Sequence, residues 1–230
     1  MIDLSPIALS IIYAYLVGSI PFAYLLARAK RGIDIRSYGS GNVGASNIAI
    51  HVGKGSFVLV ASFDALVKGT ASVALAMALG LGLEYQAAAG FLAVVGHNWS
   101  VYLRFSGGRG ISVIAGCLIL LAAKELVVSL IIVMVGWVIF RNTALWCGIA
   151  LVFLPLWAVL FGEPVTIIAF CTAVLMASVL KRLLSNPGSG VPGLRWRDVA
   201  IARLLYDRDT RLRGDWVDRK PTNGDHQSGN

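Results

Sequence analysis

Seven apolar stretches alternate with short polar segments along this chain, at 6–27, 56–83, 86–103, 110–123, 125–140, 143–161 and 163–180. Several reach the roughly 20 residues that a helix needs to cross hydrocarbon, and the shorter ones predict tilt or partial spans. Inside a bilayer each backbone amide must find its partner within the protein, which a helix provides. The pattern therefore predicts an all-α, multi-pass membrane bundle of about seven transmembrane helices. The run at 56–83 fits either one long helix or two half-helices broken near Gly69. The membrane domain is expected over 1–185. Asn186-Pro187-Gly188-Ser189-Gly190 then opens a linker, and the basic stretch with interleaved Trp196, Val199, Leu204 and Leu205 completes a segment over 186–213. That stretch reads as a helix lying on a membrane surface or as a short solvated one. Residues 214–230 read as a disordered tail.

Composition supports the class. Hydrophobic residues make up 57% of the 230 positions, charged residues only 14%, and the mean hydropathy is +0.75. Charge then predicts orientation. The segment 28–55 carries Arg28, Lys30, Arg31, Arg36 and Lys54 against Asp34, while Arg104, Arg109, Arg141 and the chain from Lys181 onward mark further basic segments. The alternate loops hold Asp3, Glu84, Glu125 and Glu163 with Lys124. By the positive-inside bias the N-terminus is outside and the basic loops and C-terminal tail are cytoplasmic, in a plasma membrane. The leader Met1-Ile2-Asp3 is acidic where a cleaved signal needs positive charge, so the first run is expected to remain as an anchor. The net charge of +8 suits the anionic inner leaflet, and no nucleic acid is needed to explain it. Cys117, Cys147 and Cys171 lie inside apolar runs without metal-ligand spacing, as packing residues do.

Two glycine-studded polar segments stand out against this background. The first is Gly39-Ser40-Gly41-Asn42-Val43-Gly44-Ala45-Ser46-Asn47. Its glycines permit runs of amides that point at one spot, as in anion-binding nests, and Ser40, Asn42, Ser46 and Asn47 add side-chain donors. The second is Gly96-His97 followed by Gly107-Gly108-Arg109-Gly110, which opens the next apolar run. A helix N-terminus favours an anion there, and the guanidinium of Arg109 is suited to phosphate. His97 ends an apolar run on the same expected face and is a candidate base. Asp64 and Lys68, four apart with the acid first, predict a structural ion pair on one helix face.

These residues resemble the bacterial acyl-phosphate:glycerol-3-phosphate acyltransferases. The likeness rests on Gly18-Ser19-Ile20-Pro21-Phe22, Asp34-Ile35-Arg36 through Asn47, Asp64 with Lys68-Gly69, and Gly96-His97 with Phe105 and Gly107-Gly108-Arg109-Gly110, and it spans about 7–185. The resemblance implies an integral membrane enzyme with seven helices, a cytoplasm-facing site and no metal or nucleotide cofactor. It would move a fatty acyl group from acyl phosphate to glycerol 3-phosphate, giving lysophosphatidic acid and phosphate for phospholipid synthesis. By position, Ser40 and His97 fall on catalytic residues. Gly39, Gly41, Asn42, Gly44, Asn47, Gly107, Gly108, Arg109 and Gly110 fall on substrate-binding positions. His97 would take the acceptor hydroxyl proton directly or through Ser40. A covalent acyl-serine is not expected, since no Gly-x-Ser-x-Gly elbow is present, and Tyr102 stands where a His-x4-Asp acyltransferase has its acid.

The chain departs from the family pattern at four places. Ile50 stands where the family usually has an arginine, with His51 adjacent but expected to point elsewhere. Ser106 and Arg109 replace the two lysines of a Lys-Gly-Gly-Lys-Gly loop, and Arg104 is the candidate substitute for the lost charge. Ser100 replaces a proline, and the family's third motif is not legible around Lys181-Arg182-Leu183-Leu184. The alternative is therefore a weakened or non-catalytic relative that binds phosphorylated lipid or a partner through the same loops.

Overall fold

The computed structural model describes residues 4–184 and 196–207. Helix α1, Ser5–Ser19, carries Pro6 in its first turn, where a missing amide costs nothing. Pro21 interrupts it, and α2, Phe22–Arg31, follows as an amphipathic helix with Arg28, Lys30 and Arg31 in its last turn. Gly32 ends α2 in the left-handed conformation that glycine adopts without strain. A 3₁₀ turn, Ile35–Ser37, and a short helix α3, Ala45–His51, then occupy the segment that the sequence shows only as a polar loop.

Next, α4, Lys54–Ser62, runs through a π-helical stretch, Phe63–Thr70, into α5, Ala71–Ala78. Of the two readings of this run, the single helix holds, unbroken over 25 residues from Lys54 to Ala78. The wide turn sits where the helix presses on α7, Ile111–Leu121. A methyl group at Gly69 would overlap the backbone of Val113, and one at Gly116 would overlap that of Ala65. Such small-residue crossings are how membrane helices approach closely. Thr70 Oγ1 donates across the crossing to the Gly116 carbonyl at 2.9 Å.

The bundle is completed by α6, Leu83–Asn98, α7, Ile111–Leu121, α8, Ala123–Phe140, α9, Thr143–Leu160, and α10, Val165–Leu184. No strand occurs among the described residues. Among the described residues, five stretches are long and apolar enough to cross a membrane: Ser5–Arg31, Lys54–Ala78, Ala123–Phe140, Thr143–Leu160 and Val165–Leu184. The expected spans at 86–103 and 110–123 are shorter, with α6 of 16 and α7 of 11 residues. At 1.5 Å per residue they measure about 24 Å and about 16 Å against roughly 30 Å of hydrocarbon. The polar segment 99–110 between them is buried at Leu103 and over 106–110, and exposed at Val101, Tyr102, Arg104 and Phe105.

Two apolar clusters hold this arrangement. The larger joins Ala14, Val73, Ala93, Val94, Val113, Cys117, Leu154 and Phe170 at the centre of the bundle. The smaller joins Ala23, Ala27, Ile35, Val43, Ile48, Val52, Val60 and Leu103, and it fixes the first glycine segment against α2 and α4. Outward, Leu130, Ile131, Met134, Val138, Val159 and Met176 are exposed, as lipid-facing positions are. The last described helix, α11, Trp196–Tyr206, packs on α9 and α10 through Val199, Ala202 and Arg203. The expected linker at 186–193 lies outside the described residues.

Candidate functional site

The π-helical stretch turns Asp64 and Lys68 inward, toward the end of α6. Lys68 Nζ lies 2.7 Å from Asp64 Oδ1, the buried i, i+4 pair that the spacing predicts. The pair is not only structural. Lys68 Nζ is also 3.2 Å from His97 Nδ1, and that ring nitrogen is 3.7 Å from Asp64 Oδ1. An ammonium has donors and no acceptor, so Nδ1 accepts from Lys68 and the neutral ring carries its proton on Nε2. Nε2 is the ring nitrogen turned away from the pair, toward the second glycine segment.

The second glycine segment closes over that nitrogen. A Cβ at Gly108 would overlap His97 Nε2, and one at Gly107 would overlap the carbonyls of His97 and Asn98. Gly108 N–H donates to the His97 carbonyl at 3.0 Å. Gly110 takes a left-handed φ of 75° at the N-cap of α7, so this segment does open a helix as expected. Arg104 and Phe105 also have positive φ, 52° and 62°, as do Arg141 and Asp207, each at 55°. Arg104 is exposed and Ser106 buried.

The first glycine segment is built differently from a simple nest. Gly39 and Gly41 are left-handed at φ 53° and 67°. Gly41 N–H donates to the Tyr38 carbonyl at 2.9 Å, Asn42 N–H to Ser40 Oγ at 3.2 Å, and Val43 N–H to the Gly107 carbonyl at 3.5 Å. The last of these ties the two segments together. Asn47 is buried and spends its amide nitrogen on the carbonyls of Ile35, Tyr38 and Asn42, at 3.2, 3.0 and 3.1 Å. It shapes the loop, where the sequence suggested a substrate contact. Asp34 accepts from Arg36 Nη2 at 2.7 Å. Burial opposes ionisation of this carboxyl, but the hydrogen bonds and charge of Arg36 prevail and hold it below the usual carboxylate range. Gly44 begins α3 in an extended conformation.

Other expectations shift as well. Arg109 is buried, and its guanidinium donates to the Lys181 carbonyl at 2.7 Å and pairs with Asp207 at 2.9 Å, so it does not point free toward a ligand. His51 does not point away: a Cβ at Gly39 would lie 2.6 Å from its Nε2. Ile50 sits on the exposed face of α3. Two residues emerge that sequence reasoning passed over. Asn98 is fully buried beside Gly110, with neither end of its amide hydrogen-bonded among the described residues. Lys181 is buried with Nζ 5.6 Å from the centre of the Trp99 ring. Adjacency to His97 was the one available signal for Asn98. The position of Lys181 at a basic helix end gave none of its burial.

Known proteins resemble this chain in sequence and in fold. The family model described as glycerol-3-phosphate acyltransferase matches residues 8–187. The chain is 36% identical over 214 residues to "Glycerol-3-phosphate acyltransferase 5" of Dehalococcoides mccartyi, covering 90% of this chain and 91% of that one. It resembles the crystal structure of PlsY (YgiH), described as an integral membrane glycerol 3-phosphate acyltransferase, in its glycerol 3-phosphate form. That match has a TM-score of 0.72 and 28% identity, and covers 76% of this chain and 88% of that one. The lysophosphatidic acid form of the same protein matches with a TM-score of 0.69 and 26% identity, covering 76% and 87%. The chain belongs to the glycerol-3-phosphate acyltransferase family.

Proposed function

We propose that this membrane protein transfers a fatty acyl group from an acyl phosphate to a hydroxyl of glycerol 3-phosphate, releasing lysophosphatidic acid and phosphate. The relatives are named for glycerol 3-phosphate, and the matched structures for glycerol 3-phosphate and lysophosphatidic acid forms, which supports acceptor and product. The non-catalytic alternative is not favoured by relatives that carry the enzyme's name. The observation that carries the mechanism is the clamped ring of His97, held on Nδ1 by Lys68 and faced on Nε2 by Gly108.

In the reaction, the acceptor hydroxyl oxygen attacks the acyl carbonyl, the bond from that carbon to the phosphate oxygen breaks, and the hydroxyl proton passes to the departing phosphate, which leaves as hydrogen phosphate and carries the negative charge that develops. His97 Nε2–H stabilises this charge as a preorganised donor, a kind of contact that is worth most in a dry site. The Ser40 hydroxyl, with the joined loops 39–44 and 107–110, orients the two phosphate-bearing substrates. Buried Asp64 serves by keeping Lys68 charged and aimed at Nδ1. The glycine segments face the cytoplasm in this reading, on the side of the basic loops, and α11 rests against the same end of the bundle.

The test is direct. Purified protein in detergent should form lysophosphatidic acid from an acyl phosphate and glycerol 3-phosphate. A folded protein that makes none would remove the proposal.

A further inference from the structure

The segment beyond the family match is not a passive tail. The family model ends at residue 187, and α11 begins at Trp196. Two arginines sew this helix to the bundle through carbonyls that helix ends leave without partners. Arg203 Nη1 donates to the Leu183 carbonyl at 2.6 Å, and Arg182 Nη1 to the Leu204 carbonyl at 2.6 Å. A third arginine, Arg109, comes from the glycine loop and ties that loop to the end of α10 by donating to the Lys181 carbonyl at 2.7 Å.

Asp207, one residue past the end of α11, meets this third arginine. Its Oδ1 lies 2.9 Å from Arg109 Nε, with the guanidinium 9% exposed and the carboxylate 23%. Asp207 is the one carboxylate within ion-pair distance of Arg109 among the described residues. A buried guanidinium keeps its place only while its charge is paired and its donors are satisfied. The backbone carbonyl of Lys181 satisfies a donor without neutralising the charge; Asp207 does that. Arg109 is in turn the neighbour of Gly108, which lies against His97 Nε2, and Gly107 holds the first glycine segment through Val43.

We infer that Asp207 is a positioning residue for acyl transfer: through Arg109 it fixes the glycine loop 107–110 against His97, so a carboxylate contributed by the C-terminal helix completes a site whose other parts lie within the family core. The inference rests on the function proposed above, for which loop and ring must be held in register. It assigns Asp207 no contact with substrate.

The test uses the full-length chain and the variants Asp207→Ala, Asp207→Asn, Asp207→Glu, Arg109→Ala and the double alanine variant. Losing a charge-assisted contact lowers kcat/KM for acyl transfer by about ten- to a hundredfold in Asp207→Ala. Asp207→Asn, which keeps the shape and loses the charge, follows it. Asp207→Glu restores activity. The double variant is no worse than Arg109→Ala, because the carboxylate acts through that guanidinium. Independently of turnover, amide hydrogen exchange in the peptide covering 105–112 rises in Asp207→Ala to the level of Arg109→Ala and returns in Asp207→Glu. Additive losses in the double variant, or unchanged exchange over 105–112 in a folded Asp207→Ala protein, overturn the inference. A wild type without acyl transfer strikes at the proposed function, while the exchange measurement still decides the role of Asp207.

Discussion

Substituting alanine for Gly108 adds one methyl group at the most constrained point of the site. The new Cβ falls on Nε2 of His97, and the ring has nowhere to go. Its other face is held by Lys68 at 3.2 Å, and Lys68 is itself held by Asp64 at 2.7 Å. The loop cannot retreat freely either, because Gly107 already packs on the carbonyls of His97 and Asn98. Relief therefore requires a shift of about 1 Å between loop and ring, a misplacement that costs about 10²-fold in rate. Overpacking of this kind costs about 1–3 kcal/mol of stability, which leaves most membrane bundles folded. Gly55→Ala is the control, since no atom lies within 4 Å of a Cβ there. Lysophosphatidic acid formation from an acyl phosphate should fall at least 10²-fold in Gly108→Ala and stay at the wild-type level in Gly55→Ala. A folded Gly108→Ala protein with wild-type kcat would refute the packing of loop on ring.

The remaining predictions address the ring, the clamp, the loop and the orientation. His97→Ala should lower kcat by about 10²–10³, as loss of one transition-state donor does, and His97→Gln, which keeps an N–H near the Nε2 position, should recover part of the loss; equal rates for the two would restore the base role. Lys68→Met strands the buried Asp64 carboxylate and should cost about 3–5 kcal/mol in detergent unfolding, whereas Asp64→Leu with Lys68→Met should cost less while remaining inactive. Asn47→Asp removes the amide that serves three carbonyls and should lower both stability and kcat/KM, by about 2–4 kcal/mol in stability at roughly 1 kcal/mol per bond plus repulsion; an unaffected melting curve would show that the loop holds itself. For orientation, single cysteines at exposed Ser37 and Glu84 should differ in intact cells, with an impermeant thiol reagent labelling the second and sparing the first.

Much of this molecule was legible because its signals are local. Apolar run length predicts the helical membrane bundle, and glycines beside short polar residues mark both segments, which meet where Val43 N–H donates to the Gly107 carbonyl. The i, i+4 spacing of Asp64 and Lys68 correctly places them together, since that relation is internal to one helix. Their meeting with His97 depends on how α6 packs against the π-helical stretch, and the wide turn arises from the crossing with α7 at Gly69 and Gly116, so neither is readable along the chain. Asn47 and Arg109 show the same limit from the other side. A donor-rich residue in a polar loop looks like a ligand contact until the carbonyls that occupy it are seen, at Ile35, Tyr38 and Asn42 for one and at Lys181 for the other. Ile50, where the sequence lacks an expected cation, faces outward, while the ring of His51 lies beside Gly39 and the buried Lys181 lies near Trp99, placements that depend on packing.

The central claim is that a chain with these departures still performs acyl transfer from acyl phosphate to glycerol 3-phosphate at a site built on His97. The most direct measurement follows purified wild type and His97→Ala in detergent with an acyl phosphate and labelled glycerol 3-phosphate, counting lysophosphatidic acid and released phosphate together. The account predicts equal amounts of the two products from wild type over many turnovers, and a loss of about 10²–10³ in His97→Ala with donor binding nearly unchanged. Phosphate release without lysophosphatidic acid, or full turnover in His97→Ala, would contradict it.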